Sequence, residues 1–369
     1  MPTSPAASLM ERAFELAEKG RYTVSPNPMV GAVLARGGKI IGEGFHQRAG
    51  EPHAEVLALH EAGTRAQGAD LYVTLEPCAH FGKTPPCTEA ILSAGVARII
   101  TASGDPNPKV QGRGLRALKA RGIEVLRGTL SDKRRAEIQN EKFRVWVSEK
   151  RPFVLAKWAA TLDGKTATGS GRSRWITGRA ARLRALLFRE EYDAVLVGAG
   201  TVGTDDPLLT RRLAKNRANP HWRVVLDGRL RVPQNARLFK EPASVIVATA
   251  LPEEDPRFRR LAARGALVWS VPGSREGSVS IRRLLSRLAR QGVTSLMVEG
   301  GAKTLWSFFR SGLVDRVAVF MAPRILGGES APGGVGGDGF ALESAPEIVD
   351  VERQDLGRDW LVTGRVGAG

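Results

Sequence analysis

A chain of 369 residues exceeds the size of an average single domain and suits two. Its hydrophobic share of 42% is ordinary for a globular protein, no apolar run is long enough to span a bilayer, and the opening Met1-Pro2-Thr3-Ser4-Pro5 lacks the basic and apolar stretches of an export signal. The formal charge of +17 suits polyanions in general, but the arginines spread along amphipathic stretches such as Arg282 to Arg290 without interleaved aromatics, which predicts solvated basic faces, phosphorylated small-molecule ligands and no stable nucleic-acid partner.

In chain order, the first half predicts a hairpin over Gly31 to Leu34 and Lys39 to Glu43, then a helix over Ala54 to Ala62 ended by Gly63. A buried strand over Ala69 to Leu75 and a helix over Thr88 to Ala94 stopped by Gly95 come next. A strand over Arg98 to Ser103, a helix over Gly114 to Ala120 and one helix over Asp132 to Val147 complete the unit. The alternation predicts a three-layer α/β/α sandwich. It carries His53-Ala54-Glu55, Leu75-Glu76-Pro77-Cys78 and Thr84-Pro85-Pro86-Cys87. One imidazole and two thiolates hold a tetrahedral Zn²⁺ with its fourth position open for a water that the metal makes acidic. A glutamate two residues from the histidine can carry protons without binding the metal. His-x-Glu with Pro-Cys is the signature of zinc nucleobase deaminases.

Each fragment alone is unremarkable, since His-x-Glu occurs at solvated helix starts and a Pro-Cys thiol is usually just buried. The chain, however, has only 2 cysteines, and both fall where the pattern needs them. His53, Cys78 and Cys87 are therefore the expected ligands and Glu55 the expected proton carrier. His53 and Cys87 fall at helix amino ends, where the macrodipole favours thiolate. His80, in the loop between the cysteines, is expected to meet substrate or solvent. That loop replaces the Cys-x-x-Cys spacing of cytidine-type deaminases, which predicts a different substrate. Two cysteines at a metal leave none for a disulfide, as suits the cytoplasm.

A break falls near Ser148-Glu149-Lys150-Arg151-Pro152, giving a first domain over 1–147, a linker over 148–152 and a second domain over 153–369. The second predicts strands at Phe153 to Ala160, Ala194 to Val197, Arg223 to Leu226, Val245 to Thr249, Leu267 to Val271, Ser295 to Val298 and Arg316 to Met321. Helices are predicted at Arg179 to Glu190, Ser280 to Gln291 and Lys303 to Ser311. This pattern implies a mostly parallel sheet with ligands at the strand carboxyl ends. Gly198-Ala199-Gly200-Thr201-Val202-Gly203 matches Gly-x-Gly-x-x-Gly, and Asp227 ends a later strand as a dinucleotide-binding acid does. The motif must open a helix, though, and Thr204-Asp205-Asp206-Pro207-Leu208 reads as a turn, which argues against an ordinary Rossmann fold. Paired glycines in Val298-Glu299-Gly300-Gly301-Ala302-Lys303-Thr304, between strand and helix, are the better pyrophosphate cradle.

Together with Asn27-Pro28-Met29-Val30-Gly31, Gly42-Glu43-Gly44-Phe45-His46, Gly82-Lys83-Thr84, Asp105-Pro106-Asn107-Pro108, Leu162-Asp163-Gly164-Lys165, Trp175-Ile176-Thr177 and Leu313-Val314-Asp315, these motifs resemble the RibD family of bifunctional riboflavin biosynthesis enzymes along essentially the whole chain. The resemblance implies a cytidine-deaminase-like domain followed by a dihydrofolate-reductase-like α/β domain. It implies zinc-dependent deamination of 2,5-diamino-6-(5-phosphoribosylamino)pyrimidin-4(3H)-one, then reduction of the ribosyl to a ribityl chain with NADPH. By resemblance, Asn27 and His46 contact the pyrimidine, and Lys83, Asn107 and Lys109 meet the ribose phosphate. Ser173, Arg189, Leu209, Arg212 and Glu299 line the sugar-phosphate pocket of the reductase. Ala159, Trp175, Thr201, Asp205 and the run Gly301, Ala302, Lys303, Thr304, Leu305, Trp306 and Ser307 line the cofactor, the alternative for Trp175 being core packing. Reduction needs one positioned acid, for which the order of expectation is Asp205, Lys157, Glu299. The family also implies a homo-oligomer, dimer or tetramer. A competing reading is a tRNA-type adenosine deaminase fused to an unrelated oxidoreductase, and a third is a non-catalytic zinc scaffold, against which Glu55 argues.

Overall fold

The structure, a computed structural model, describes residues 5–81, 85–108, 110–213, 220–241 and 244–367. It divides into two units, Met1–Lys150 and Arg151–Gly369. Among the described residues of the first unit the order is α1 (Pro5–Glu18), β1 (Gly31–Arg36), β2 (Lys39–Phe45), α2 (Ala54–Ala62), β3 (Asp70–Val73), α3 (Cys87–Ser93), β4 (Arg98–Thr101), α4 (Arg113–Ala120), β5 (Glu124–Arg127), α5 (Leu130–Gln139) and α6 (Glu141–Glu149). The five-stranded sheet runs β2-β1-β3-β4-β5. β1 pairs antiparallel with β2 and β3, and β3, β4 and β5 are parallel.

The period-two pattern of β1 sets the layers. Ala32 and Leu34 join a core with Ala58 of α2, Ile91 of α3 and Leu118 of α4. Val33 and Ala35 join another with Met10 and Phe14 of α1 and Ala136 of α5. Sheet and helices thus form the three-layer sandwich. On β2 a side chain at Gly44 would place its Cβ 2.2 Å from the carbonyl oxygen of Ala54, so glycine lets the start of α2 lie against the sheet.

Two features of this unit differ from expectation. α1 and β5 were not predicted, although Leu9, Met10, Ala13 and Phe14 share a helical face that is buried. The single helix over Asp132 to Val147 is two helices, divided at Asn140. The Asn140 side chain accepts from the N–H of Met29 at 2.7 Å and donates to its carbonyl at 2.9 Å. Leaving that buried amide unpaired would cost about 1–3 kcal/mol. Residues 148–152 comprise the end of α6, Lys150 at φ 55°, and Arg151, which pairs with Asp315 at 2.6 Å.

The second unit contains β6 (Phe153–Thr161), α7 (Arg179–Glu191), β7 (Ala194–Gly198), α8 (Ala199–Asp205), β8 (Trp222–Leu226), β9 (Val245–Thr249), α9 (Pro256–Ala262), β10 (Leu267–Ser270), α10 (Ile281–Arg290), β11 (Ser295–Val298), α11 (Ala302–Arg310), β12 (Arg316–Ala322), β13 (Ile348–Leu356) and β14 (Asp359–Val366). Its nine-stranded sheet runs β10-β9-β8-β7-β11-β6-β12-β14-β13. From β10 to β12 neighbours are parallel, and β14 and β13 finish the edge antiparallel. This is the dihydrofolate-reductase-like arrangement. Ile281, Leu284, Leu285 and Leu288 of α10 enter the core at helical spacing while Arg282, Arg283 and Arg290 stay exposed, which accounts for part of the positive charge as a solvated face.

The glycine motif after β7 corrects an expectation. It does open a helix, α8, which runs through Asp205 and ends at Asp206 with φ 43°. Asp227 does not behave as a dinucleotide-binding acid, because its carboxylate accepts from the N–H groups of Val232 at 2.7 Å and Arg229 at 3.3 Å and closes a turn. The reading against a Rossmann fold stands on this and on the sheet, not on the absence of a helix. α9, β13 and β14 were also not predicted.

Candidate active sites

His53 is the N-cap of α2 and Cys87 the first residue of α3, so two amino-terminal helix ends point at one place. Cys78 arrives from the segment after β3, and the carbonyl of Cys78 accepts from the N–H of Thr88 at 3.2 Å, which holds the two cysteine segments together. His53 Nδ1 lies 3.0 Å from Cys87 Sγ and 3.6 Å from Cys78 Sγ, and the two sulfurs are 3.5 Å apart. These separations suit three corners of a tetrahedron with bonds of about 2.0 Å to nitrogen and 2.3 Å to sulfur, and the nitrogen and sulfur donor set suits zinc. The hydrogen bond shared with Cys87, opposed by burial and aided by His53, lowers the Cys78 thiol to about 4. The same hydrogen bond and burial push the Cys87 thiol up. Two adjacent thiols thus compete for one negative charge, a conflict a divalent cation resolves.

Glu55, in the first turn of α2, is only 3% exposed, and its Oε2 has no hydrogen-bond partner among the described residues. Burial raises its carboxyl above the ordinary value, against the opposing pull of His53. His53, Glu55, Glu76 and Cys78 line a cavity of about 330 Å³ together with Asn27, His46 and Asn107. His46 Nδ1 lies 3.2 Å from the carbonyl of Pro52 and Nε2 2.9 Å from Asn27 Nδ2. A carbonyl only accepts, so Nδ1 carries the proton and Nε2 accepts from the Asn27 amide. Burial lowers the His46 pKa and keeps that ring neutral. His80 also lines the cavity but stands outside the group of His53, Cys78 and Cys87 that can hold a metal. Lys83 and Lys109 lie outside the described residues.

Asp105 also lines the cavity and was given no role by sequence, although its motif was noted. Burial, opposed by a hydrogen bond from the N–H of Asn107 and reinforced by the nearby charge of Glu76, raises its carboxyl to about 6.

In the second unit Val298 pairs with Ala156, which sets Glu299 beside Lys157. Lys157 lies within β6, which continues to Thr161. Lys157 Nζ is 4.0 Å from Glu299 Oε2. Arg189 binds Glu299 with both Nε and Nη2, at 3.1 and 2.7 Å to Oε1, and reaches the carbonyl of Thr210 at 3.5 Å. Burial pushes Glu299 up, but Arg189 and Lys157 overcome it and the carboxyl is held below its ordinary value. Arg189, expected in the phosphate pocket, is therefore engaged by Glu299. The N–H groups of Arg212 and Leu213 donate to Glu190 Oε1 at 2.8 and 3.0 Å, and the Arg212 side chain is exposed. Leu209 is buried at φ 56°, and its carbonyl meets His221 Nε2 at 3.1 Å. Ser173 is half-buried.

Burial, with Arg211 and Arg189 nearby, drives His221 from 6.5 down to about 3. A base depressed on folding destabilises the native state wherever the unfolded chain binds the extra proton, so stability is full above pH 6.5 and falls as pH drops toward 3. This group alone is expected to remove about 2 kcal/mol between about pH 7 and pH 5. Urea unfolding at both values should show a smaller loss for His221→Gln than for the parent, and equal losses would remove His221 as the cause.

Among the expected cofactor residues, Gly301 is the N-cap of α11 and approaches Thr201, a Cβ at 301 lying 3.5 Å from Thr201 Oγ1. Lys303 is exposed, Ala302 and Ser307 are half-buried, and Trp306 packs on Phe340 at 4.8 Å between ring centres. Thr304 and Leu305 are buried, Leu305 in the core cluster. Ala159 lies on β6 opposite Phe320. Trp175 is 63% exposed, which excludes core packing, and Arg182 lies 4.6 Å over its ring. Asp205 ends α8, where its carbonyl accepts from Arg174 at 2.9 Å, and among the described residues it makes no hydrogen bond or ion pair with Lys157 or Glu299.

Residues 152–362 match the family described as the RibD C-terminal domain, and residues 3–103 match the cytidine and deoxycytidylate deaminase zinc-binding region. The riboflavin biosynthesis protein RibD of Aquifex aeolicus (strain VF5) is 42% identical over 357 residues, covering 96% of each chain. RibD of Escherichia coli (strain K12) is 40% identical over 333 residues, 87% of this chain and 88% of that one. The solved structure of Acinetobacter baumannii RibD superposes with a TM-score of 0.85 at 38% identity, over 98% of both chains. A Thermotoga maritima structure described as a diaminohydroxyphosphoribosylaminopyrimidine deaminase and 5-amino-6-(5-phosphoribosylamino)uracil reductase gives 0.83, also at 38% identity and 98% of both chains.

Proposed function

Because the chain belongs to the RibD family, and so is a bifunctional deaminase and reductase of riboflavin biosynthesis, we propose that its first unit deaminates 2,5-diamino-6-(5-phosphoribosylamino)pyrimidin-4(3H)-one and its second reduces the product. The observation that carries the first half is the partnerless, buried Oε2 of Glu55 beside the His53, Cys78 and Cys87 triangle at the cavity. When held by those three residues, zinc supplies the Lewis acidity that makes water nucleophilic at neutral pH. Glu55 takes a proton from the attacking water and passes it to the ring nitrogen, then takes the second proton from the hydroxyl now on C2 and gives it to the amine, so that C2 becomes a carbonyl, its bond to the amine nitrogen breaks and ammonia leaves. Its raised pKa suits a group that must both accept and donate near neutrality. His46 fixes the Asn27 amide, and this leaves the Asn27 oxygen to accept from the pyrimidine.

In the second unit NADPH, held by residues such as Thr201, Gly301 and Lys303, would supply a hydride for the opened ribose. We assign the proton to Lys157 Nζ, ahead of Asp205, in reverse of the order expected from sequence. Glu299, held as a carboxylate by Arg189, is the partner that keeps the Lys157 ammonium in place rather than the donor. The proton goes to the carbonyl oxygen or imine nitrogen as hydride reaches carbon. Lys157→Met is expected to slow NADPH oxidation about 100-fold and spare ammonia release, whereas Asp205→Asn slows oxidation less than about fivefold. The opposite ranking would transfer the role to Asp205.

The remaining expectations belong to the same proposal: bound zinc and NADPH, a phosphorylated pyrimidine substrate, a cytoplasmic setting and a homo-oligomer. No helix among the described residues is long and apolar enough to cross a membrane. The competing fusion of a tRNA-type deaminase to an unrelated oxidoreductase is not favoured, because relatives match across both units. The deciding assay gives the zinc-loaded protein the diaminopyrimidine ribotide, follows ammonia, then adds NADPH and follows its absorbance. Ammonia followed by oxidation supports both halves, and no ammonia would overturn the assignment of the first.

A further inference from the structure

Glu76 is 4% exposed and takes no part in the chemistry above. Its Oε2 accepts from the N–H of Gly112 at 2.9 Å and of Asp105 at 3.4 Å. Its Oε1 accepts from Gly114 at 3.1 Å and Leu115 at 3.4 Å. Gly112, Gly114 and Leu115 present the unpaired N–H groups at the start of α4, whose N-cap, Gly112, has no side chain to satisfy them. A carboxylate far upstream in sequence does so instead, aided by the positive end of the helix. The fit is close, since a Cβ at Gly114 would fall 2.0 Å from the carbonyl oxygen of Pro77. The start of α4 therefore rests on the backbone next to the ligand Cys78.

One atom, Oε2, takes the N–H groups of both Asp105 and Gly112. The segment between them is closed on that oxygen at both ends. Asn107 lies within it, its N–H donating to Asp105 Oδ1 at 2.7 Å, and both residues line the cavity. The Glu76 backbone is fixed in turn, its N–H donating to the carbonyl of Ser103 at 2.9 Å. We propose that Glu76 is a positioning residue of the deaminase, which holds the phosphate-binding segment in register with the metal ligands from a point two residues before Cys78. The proposal rests on the reading that Asn107 meets the ribose phosphate. Glu76 borders the same cavity, but both of its carboxylate oxygens are taken by the N–H groups of that segment and of α4, and it acts through them.

Glu76→Gln keeps the shape but turns an amide NH₂ toward N–H groups that need an acceptor, which releases one pair of bonds. In the full-length, zinc-loaded protein, zinc content and reductase rate should be unchanged. The KM for the ribotide should rise about tenfold with kcat within about threefold, and preference for the ribotide over its dephosphorylated riboside should fall about tenfold. A merely structural role would weaken both substrates alike, and an unchanged preference or a loss of zinc overturns the proposal. Asn107→Ala separates the two levels. If it leaves the preference unchanged, the reading of Asn107 fails and takes the proposal with it. If it lowers the preference and Glu76→Gln does not, the reading survives and the positioning role is overturned. Should Glu76→Gln not fold, Gly112→Ala, which strains the far end of the segment at φ 71°, must lower the same preference, and no change there is equally fatal.

Discussion

Glu55→Gln is expected to keep zinc and lose deamination by about 10⁴-fold, the upper end of what general acid and base catalysis contributes. The substitution preserves length and volume, so the ligand triangle of His53, Cys78 and Cys87 is undisturbed. What it removes is a group that can take a proton from water and return it to nitrogen. A carboxyl that is buried, raised in pKa and without a partner at Oε2 is a burden on the fold. The metal-free variant is accordingly expected to unfold at a temperature equal to or above that of the metal-free parent. Elemental analysis, ammonia release and a thermal scan check the three parts. Loss of zinc, or a rate within tenfold of the parent, would mean that Glu55 is a ligand or a bystander.

Cys87→Ser acts on the metal instead. A hydroxyl is a poorer and harder donor than a thiolate, and Cys87 is fully buried at the start of α3. Zinc affinity is expected to fall more than the roughly 10 to 100-fold that altering a residue behind a ligand costs. Deamination should vanish with it. Because the ligands join α2, α3 and the segment after β3, the first unit should also unfold earlier, while NADPH oxidation on the deaminated substrate persists. Retention of a full zinc complement would place a different residue in the shell and displace Cys87 from it.

The deaminase centre was legible because its chemistry is written in rare residues at short spacing. His53 and Glu55 lie on one turn, and the chain has no other cysteines to confuse the reading. Helix ends marked by glycine were equally legible, as with Gly63 after α2. What sequence hid depends on partners far away in the chain. Asn140 breaks a helix for the sake of Met29, 111 residues earlier, and no local pattern announces that pair. Arg189 and Glu299 were placed in one pocket by resemblance alone, and their direct pairing across 110 residues has no local signal. Glu76 stood inside a motif whose cysteine drew all the attention, and its four N–H partners belong to a later loop and helix. The antiparallel β13 and β14 were missed at an edge where exposure erases the apolar alternation, Val351 being 57% exposed.

The amide of Asn140 also bears on how much of the chain a portable deaminase requires. A fragment cut after β5 would retain the sheet, all three ligands and Glu55. It would nevertheless lack the side chain that clasps Met29 on both its N–H and its carbonyl, two residues beyond Asn27. The wall of the cavity is thus fastened by a residue that follows the last strand. A residue between α5 and α6 thus supports the substrate cavity, even though neither helix contributes a metal ligand.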